Sequence, residues 1–179
     1  FNSTAPNAPT RVRSKRTYTV GLPGIHLRHA LRPNLIVRES YNRSYARPDI
    51  NRLVAGLTLD VNTGNISGGN PNLSESTSDN YDVQVEYYTA KGGLYSAGLF
   101  YKDVKGFYYQ TTQRFNTTDA DGYPIIDPTG ALVYSTTLNA LGAVNYGVEL
   151  IARQKLFFLP KPFDGFGVGL SATFTESDG

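Results

Sequence analysis

Between Asn80 and Thr89 the chain alternates strictly, with Tyr81, Val83, Val85 and Tyr87 interleaved with Asp82, Gln84, Glu86 and Tyr88. A period of two sends successive side chains to opposite faces of an extended strand, whereas a helix would bring together residues three and four apart. No other feature constrains the fold as strongly, because the pattern recurs. Leu94 to about Lys105 sets Tyr95, Ala97, Leu99 and Tyr101 against Ser96, Gly98, Phe100 and Lys102. Leu35 to about Ser44 sets Leu35, Val37 and Tyr41 against Ile36, Arg38, Ser40 and Asn42, with Glu39 out of place on the apolar side. Gly142 to Lys155 opposes Val144, Tyr146, Val148, Leu150 and Ala152 to Asn145, Gly147, Glu149, Ile151 and Arg153. With similar runs before and after these, six strands are predicted at about residues 22–31, 35–45, 79–89, 94–107, 142–156 and 166–176.

Strands of this length exceed the roughly five or six residues usual in soluble sheets, and about ten tilted residues cross a bilayer. The connections sharpen the point. Those at 31–34, 90–93 and 156–165 are short, while 46–78 and 108–140 are long loops. Short turns at one end and long loops at the other mark outer-membrane barrels. At 90–93 the paired glycines Gly92 and Gly93 are expected to supply the positive φ of a tight hairpin.

Composition removes rival classes. Without cysteine there is neither a disulfide framework nor a thiolate metal or redox site. The only histidines, His26 and His29, lie three apart on a strand and point to opposite faces, so no metal site, no cofactor and no catalytic triad is expected, and the chain reads as a non-enzyme. No apolar run is long enough for a transmembrane helix, which needs roughly 18 residues or more. A net charge of +2 is too mild to imply nucleic acid. The one basic run, Arg11, Arg13, Lys15 and Arg16, reads as a solvated loop or as an anchor on acidic lipopolysaccharide. The chain starts at Phe1 and has no Met, which reads as a piece of a longer protein.

Alternation alone also fits a soluble sandwich, whose apolar face is its core. The aromatics favour lipid. Tyr41, Tyr81, Tyr87, Tyr95, Tyr101, Tyr146, Phe166 and Phe174 edge the apolar face, as in an interfacial girdle where a ring sits among headgroups. Tyr81 and Tyr87 are separated by about 15 Å after tilt, less than the roughly 25 Å apolar band, so one of them must lie inside it. Glu39 then requires a position near one rim or a bulge that turns it inward.

Several stretches carry a resemblance. Arg47-Pro48-Asp49 follows Tyr41-Asn42-Arg43-Ser44-Tyr45-Ala46; then come Gly69-Asn70-Pro71-Asn72-Leu73, Ser78-Asp79-Asn80-Tyr81-Asp82, Glu86-Tyr87-Tyr88 and Gly98-Leu99-Phe100-Tyr101-Lys102. Tyr146-Gly147-Val148-Glu149, Phe158-Leu159-Pro160, Asp164-Gly165 and Thr173 continue the order, and Leu22-Pro23-Gly24 to Arg28 precedes it. Over about residues 17–177 this resembles the barrel of a TonB-dependent outer-membrane receptor. Glu39 and Ser74-Glu75-Ser76 depart from the family pattern.

The resemblance implies an all-β fold, an antiparallel transmembrane β-barrel segment contributing six strands to a barrel of about 22. It implies a plug domain and an energy-coupling partner contacted through an N-terminal segment, neither of which this chain contains. It also implies outer-membrane lipid and lipopolysaccharide as surroundings, and a scarce large nutrient as cargo: ferric siderophore, haem, cobalamin or oligosaccharide. On that geometry Arg38, Asp82, Gln84, Glu86, Lys102, Glu149 and Arg153 face the lumen, either contacting the plug along the transport route or forming a charge ladder that only solvates the wall. Asp82 and Glu86 need cations, and Arg38, Lys102 and Arg153 are at hand. Tyr108, Tyr109, Gln113, Arg114, Tyr123 and Tyr134 in a long outer loop either grip a ligand or merely pack that loop. Asp119, Asp121 and Asp127 have a loosely calcium-like spacing but lack the acidic end residue, so a solvated turn is expected. Two other readings stay open: a complete small outer-membrane barrel with a structural or adhesive role, and a soluble all-β carbohydrate-binding module.

Overall fold

A computed structural model describes residues 17, 19–54, 56–119 and 124–179. Arg11, Arg13, Lys15, Arg16, Asp121 and Tyr123 lie outside the described residues. In chain order the elements are β1 (Gly24–Arg32), β2 (Leu35–Ala46), α1 (Ile50–Leu53), β3 (Leu57–Leu59), β4 (Ile66–Gly68), β5 (Ser76–Tyr88), β6 (Leu94–Lys105), β7 (Tyr108–Thr118), β8 (Pro124–Ile126), β9 (Leu132–Asn139), β10 (Gly142–Lys155) and β11 (Gly167–Asp178). A short 3-10 turn, Phe163–Gly165, precedes the last strand. The chain forms two compact units.

The larger unit is a six-stranded antiparallel sheet in the order β1-β2-β5-β6-β10-β11. Its strands are the six that alternation predicts, with ends shifted by up to three residues. The sheet is open, its outer strands β1 and β11 each having one neighbour. No helix among the described residues is long and apolar enough to cross a membrane.

Register turns alternation into rows. Tyr41, Tyr81, Tyr101 and Tyr146 stand directly opposite one another across four adjacent strands. The rings of Tyr41 and Tyr81 lie 5.0 Å apart. Those of Tyr81 and Tyr101 lie 6.2 Å apart. Both pairs are tilted, as aromatic quadrupoles prefer. The next outward row is Leu27-Glu39-Val83-Leu99-Val148-Phe174, and the one below it His29-Val37-Val85-Ala97-Leu150-Ala172. Tyr87 and Tyr95 pair one row further on. Such a face, exposed or half-exposed in every strand, is unstable against water and suited to hydrocarbon.

Glycines serve two definite purposes here. Gly92 has φ +64 in the turn between β5 and β6; Gly93 does not have a positive φ, so only one of the expected pair supplies it. Gly93 instead lies against the side chains of Gln154 and Thr89, where a Cβ would collide. Gly147 lets the Phe100 ring of the opposing residue lie across its backbone, an aromatic covering the gap that a glycine leaves in a strand.

The smaller unit overturns an expectation. Residues 46–78 and 108–140, predicted as long loops, contain a five-stranded sheet in the order β3-β4-β9-β7-β8 and the short helix α1. β7 and β9 pair antiparallel over eight positions, and β4 joins β9 in parallel. Stretches such as Tyr108-Tyr109-Gln110-Thr111-Thr112 are rich in the Thr and Tyr that favour strands. They lack an apolar face, so period-two sorting by hydropathy passes over them. Phe115 and Leu73 are the fully buried large side chains of this unit.

Candidate functional site: the polar face of the barrel wall

The polar face follows from the same register. Successive rows read His26-Ser40-Asp82-Phe100-Gly147-Thr175, Arg28-Arg38-Gln84-Gly98-Glu149-Thr173 and Ala30-Ile36-Glu86-Ser96-Ile151-Ser171. Arg38, Asp82, Gln84, Glu86, Lys102, Glu149 and Arg153 therefore share one face. One ion pair among the described residues joins two of them, Arg38 and Glu86.

Arg38 Nε donates to Glu86 Oε1 at 2.9 Å, and the Tyr88 hydroxyl donates to Glu86 Oε2 at 2.9 Å. Glu86 is the more secluded partner, its side chain 11% exposed against 45% for Arg38. A carboxylate so placed needs both donors, since an unpaired buried charge costs more than a surface pair returns. Asp82 forms no ion pair among the described residues; the Ser40 hydroxyl donates to it at 3.2 Å. Gln84 donates to the Ser96 hydroxyl at 2.7 Å, and the Lys102 ammonium lies 5.6 Å from the Phe100 ring centroid. Among the expected cations, Arg38 is the one the geometry brings to an acid.

Sequence reasoning missed the strongest ion pair of the sheet. Arg43 grips Asp79 through Nε and Nη2, both at 2.8 Å, and the Tyr41 hydroxyl adds a third bond to Asp79 at 2.8 Å. Bidentate guanidinium geometry of this kind is directional as well as strong. By parity the pair belongs to the outward face, one row beyond the tyrosines, where the apolar band gives way to charge. Two opposite charges 36 residues apart give no signal without the register.

The girdle residues also sort differently from expectation. Tyr41, Tyr81, Tyr101 and Tyr146 form one rim, with the Tyr146 hydroxyl bonded to Glu176. Phe174 sits a row inside, and Phe166 lies in the turn before β11. Glu39 faces outward beside Leu27 and Val83 in an unbroken ladder, so no bulge rescues it. Its position directly inside the tyrosine row keeps it close to one rim, where a lipid-facing charge costs less than at mid-depth.

In the smaller unit the aromatic candidates divide between two faces of β7 and β9. Tyr109, Gln113 and Tyr134 share one face, with Gln113 directly opposite Tyr134; Tyr108 and Arg114 take the other. The Tyr108 hydroxyl donates to the Ser74 carbonyl at 2.9 Å and its ring lies 5.9 Å from the Arg52 guanidinium. Arg114 donates to the Gly130 carbonyl at 3.2 Å. A pocket of about 590 Å³ in this unit is lined by Arg52, Gln110, Thr112, Ser135 and Thr137 among others, and by none of the described aromatic candidates. Hydroxyl-rich strands, rather than tyrosines, were the signal for it.

Asp127 holds a turn. Its Oδ1 accepts from the Thr129 amide and hydroxyl, and its Oδ2 from Asn116. No group of acidic residues among the described ones is arranged to hold an ion. The Thr129 hydroxyl, then the Thr129 amide, and after them Asn116 hold this carboxyl below its ordinary value, against the opposing effect of burial. With the folded value the lower one, ionisation stabilises the turn above the ordinary carboxylate range near pH 4, and that contribution disappears as pH falls through the folded value. Amide shifts of Thr129 and Gly130 should hold steady from neutral pH down to about 4 and move together below it; a shared transition centred above the ordinary carboxylate value would contradict the assignment.

Lipid on one side and water on the other is the condition that such a division of faces satisfies, and with alternating short and long connections it defines a segment of outer-membrane barrel wall. The chain belongs to the TonB-dependent receptor family: residues 1–179 match the family described as TonB dependent receptor-like, beta-barrel. Its place is the bacterial outer membrane. No curated protein sequence matches it. Among solved structures it is similar to the siderophore receptor PirA from Pseudomonas aeruginosa, with TM-score 0.62 and 16% identity over 87% of this chain and 28% of that one. It is also similar to a mutant of the ferric enterobactin receptor PfeA from Pseudomonas aeruginosa in complex with enterobactin, with TM-score 0.63 and 20% identity over 86% of this chain and 22% of that one. The chain thus spans about a quarter of the length of these receptors.

Proposed function

We propose that these strands form part of the wall of an energy-coupled receptor that imports a ferric siderophore. The observation that carries this reading is the register-wide separation of an apolar outward face from a charged inward one, on a fold shared with siderophore receptors. Receptors of this family transport rather than catalyse. In the proposed arrangement a plug domain rests against Arg38, Gln84, Glu86 and their neighbours, an energy-coupling protein of the TonB type moves the plug, and the cargo leaves along this face. Arg38 and Glu86 neutralise each other and keep the wall rigid. His26, Arg28, Asp82 and Lys102 have no ion pair among the described residues and are the groups proposed to meet the plug. The hydroxyl-rich pocket beside Arg52 and Gln110 is proposed to contribute to cargo recognition.

The test is uptake of labelled ferric iron by iron-starved cells expressing the intact receptor as their only ferric siderophore importer. Accumulation that depends on the siderophore and collapses with the proton gradient is expected. Uptake of haem, cobalamin or an oligosaccharide in place of ferric siderophore would overturn the cargo.

A further inference from the structure

The tyrosine row marks one edge of the apolar band, and the hairpin of β10 and β11 shows where the other edge falls. From the row of Tyr146 and its partner Glu176, ten positions back along the chain lead to Phe166, just before β11. At the rise of an extended strand this is roughly 33 Å of chain, or roughly 25 Å of depth after tilt, the full thickness of the band. Tyr87 and Tyr95 consequently lie within it, and the turn from Leu156 to Phe166 lies at its far edge. In this turn Phe157, Phe158, Phe163 and Phe166 are all at least half exposed, Phe158 to 81%.

Beside it the turn between β5 and β6 comes close. Gln154 donates to the carbonyls of Lys91 and Lys155, both at 2.9 Å, tying the two turns together. Between them runs a groove of about 740 Å³, walled by Ala90, Phe157 and Phe158 and carrying Lys91 and Lys155. No carboxylate lines it. The Lys155 ammonium lies 5.0 Å from the Phe157 ring centroid and remains exposed, as does Lys91. The groove meets the lipid-facing rows through Gln154, which has the outward parity of Ala152, while Lys155 has the inward parity of Arg153 and lines the groove from the last position of β10. An aromatic floor with two solvated cations at headgroup depth matches one kind of occupant in shape and sign.

We infer that this groove binds an anionic glycerophospholipid of the periplasmic leaflet, its phosphate held between Lys91 and Lys155 and its acyl chains laid along Phe157, Phe158 and the apolar rows above. A zwitterionic headgroup offers the same chains but no net charge, so the site selects by headgroup.

The test uses the intact barrel containing these strands, delipidated in a neutral detergent, with bound lipid counted by native mass spectrometry against equimolar dioleoyl phosphatidylglycerol and dioleoyl phosphatidylcholine. At least one phosphatidylglycerol should be retained with about tenfold preference, and raising salt from about 0.05 to about 0.5 M should erase the preference. The double variant Lys91→Gln with Lys155→Gln should reduce it about fivefold or more; Phe158→Ser should lower retention of both lipids; Lys105→Gln at the opposite rim should change nothing. Heat-modifiable gel mobility reports whether each variant is folded, and the salt titration on the unaltered protein stands even where a variant fails. Equal retention of the two lipids, or a preference unmoved by both salt and the double variant, would overturn the site. So would selective retention of a protein in the groove instead of lipid. None of these outcomes depends on which nutrient is imported.

Discussion

Phe115→Ala is expected to remove about 3 to 5 kcal/mol from the smaller unit, the usual cost of emptying a fully buried aromatic site. Phe115 is 1% exposed, stands opposite Leu132 across β7 and β9, and has Gly130 packed on its backbone. Leu132 in turn lies over Gly64, whose φ of +72 and missing Cβ make room for it. Collapse around the lost ring is therefore limited, because glycine contacts cannot move inward without closing on backbone. Hydrogen exchange of the intact receptor reads the effect locally: amides of β7 and β9 should lose protection by a hundredfold or more, while those of β5 and β6 keep theirs. Tyr109→Ala, on an exposed ring of the same strand, provides the contrast. Unchanged protection in the Phe115 variant would mean that this sheet is not held by its core.

Leu99→Arg should cost about 1 to 2 kcal/mol, because one row inside the tyrosines the penalty of a lipid-facing guanidinium lies between the roughly 2 to 4 kcal/mol of mid-depth and the roughly 0 to 1 kcal/mol of the rim. Leu99 is 60% exposed and stands between Val83 and Val148, inside the tyrosine row. Thr173→Arg places the same group on the opposite face, directly across from Glu149, and should be nearly neutral. Urea titration of the intact barrel in phospholipid vesicles measures both. Equal costs would refute the assignment of faces, and a larger cost at Thr173 would invert it.

These two predictions lie on opposite sides of what a sequence can reveal. Leu99 and Thr173 can be assigned to faces from alternation alone, because the pleat of a strand admits one choice for every second residue once a single one is placed. Phe115 looks like any aromatic in a polar loop. Its burial depends on Leu132 coming alongside and on Gly130 folding back, contacts that follow from the turn held by Asp127. The signal that did exist was chemical rather than periodic: Thr- and Tyr-rich runs at 108–118 and 132–139 flanking Asp127-Pro128-Thr129-Gly130, a turn sequence between two strand-formers.

The polar face shows the same divide. That Arg38, Glu86 and Asp82 share it was legible; that Arg38 chooses Glu86 and leaves Asp82 to Ser40 was not. Alternation specifies a face but not an offset. The offset between β2 and β5 is set by a ladder that closes across the intervening residues 47–75, with twelve paired positions pulling in one register. Glu39 illustrates it best. From sequence a bulge or a rim position would serve equally; the unbroken ladder past Leu27 and Val83 leaves only the second.

By itself, then, the sequence determined the class, the six long alternating strands, and which side chains of a strand share a face, because each depends on local geometry repeated every two residues. Only the tertiary structure decided which tyrosines line up as a girdle, which charges pair, that the long connections carry a sheet, and that Lys91 and Lys155 flank one groove. Each of those depends on register between segments far apart in the chain, which hydrogen bonding across the sheet settles and no local pattern encodes.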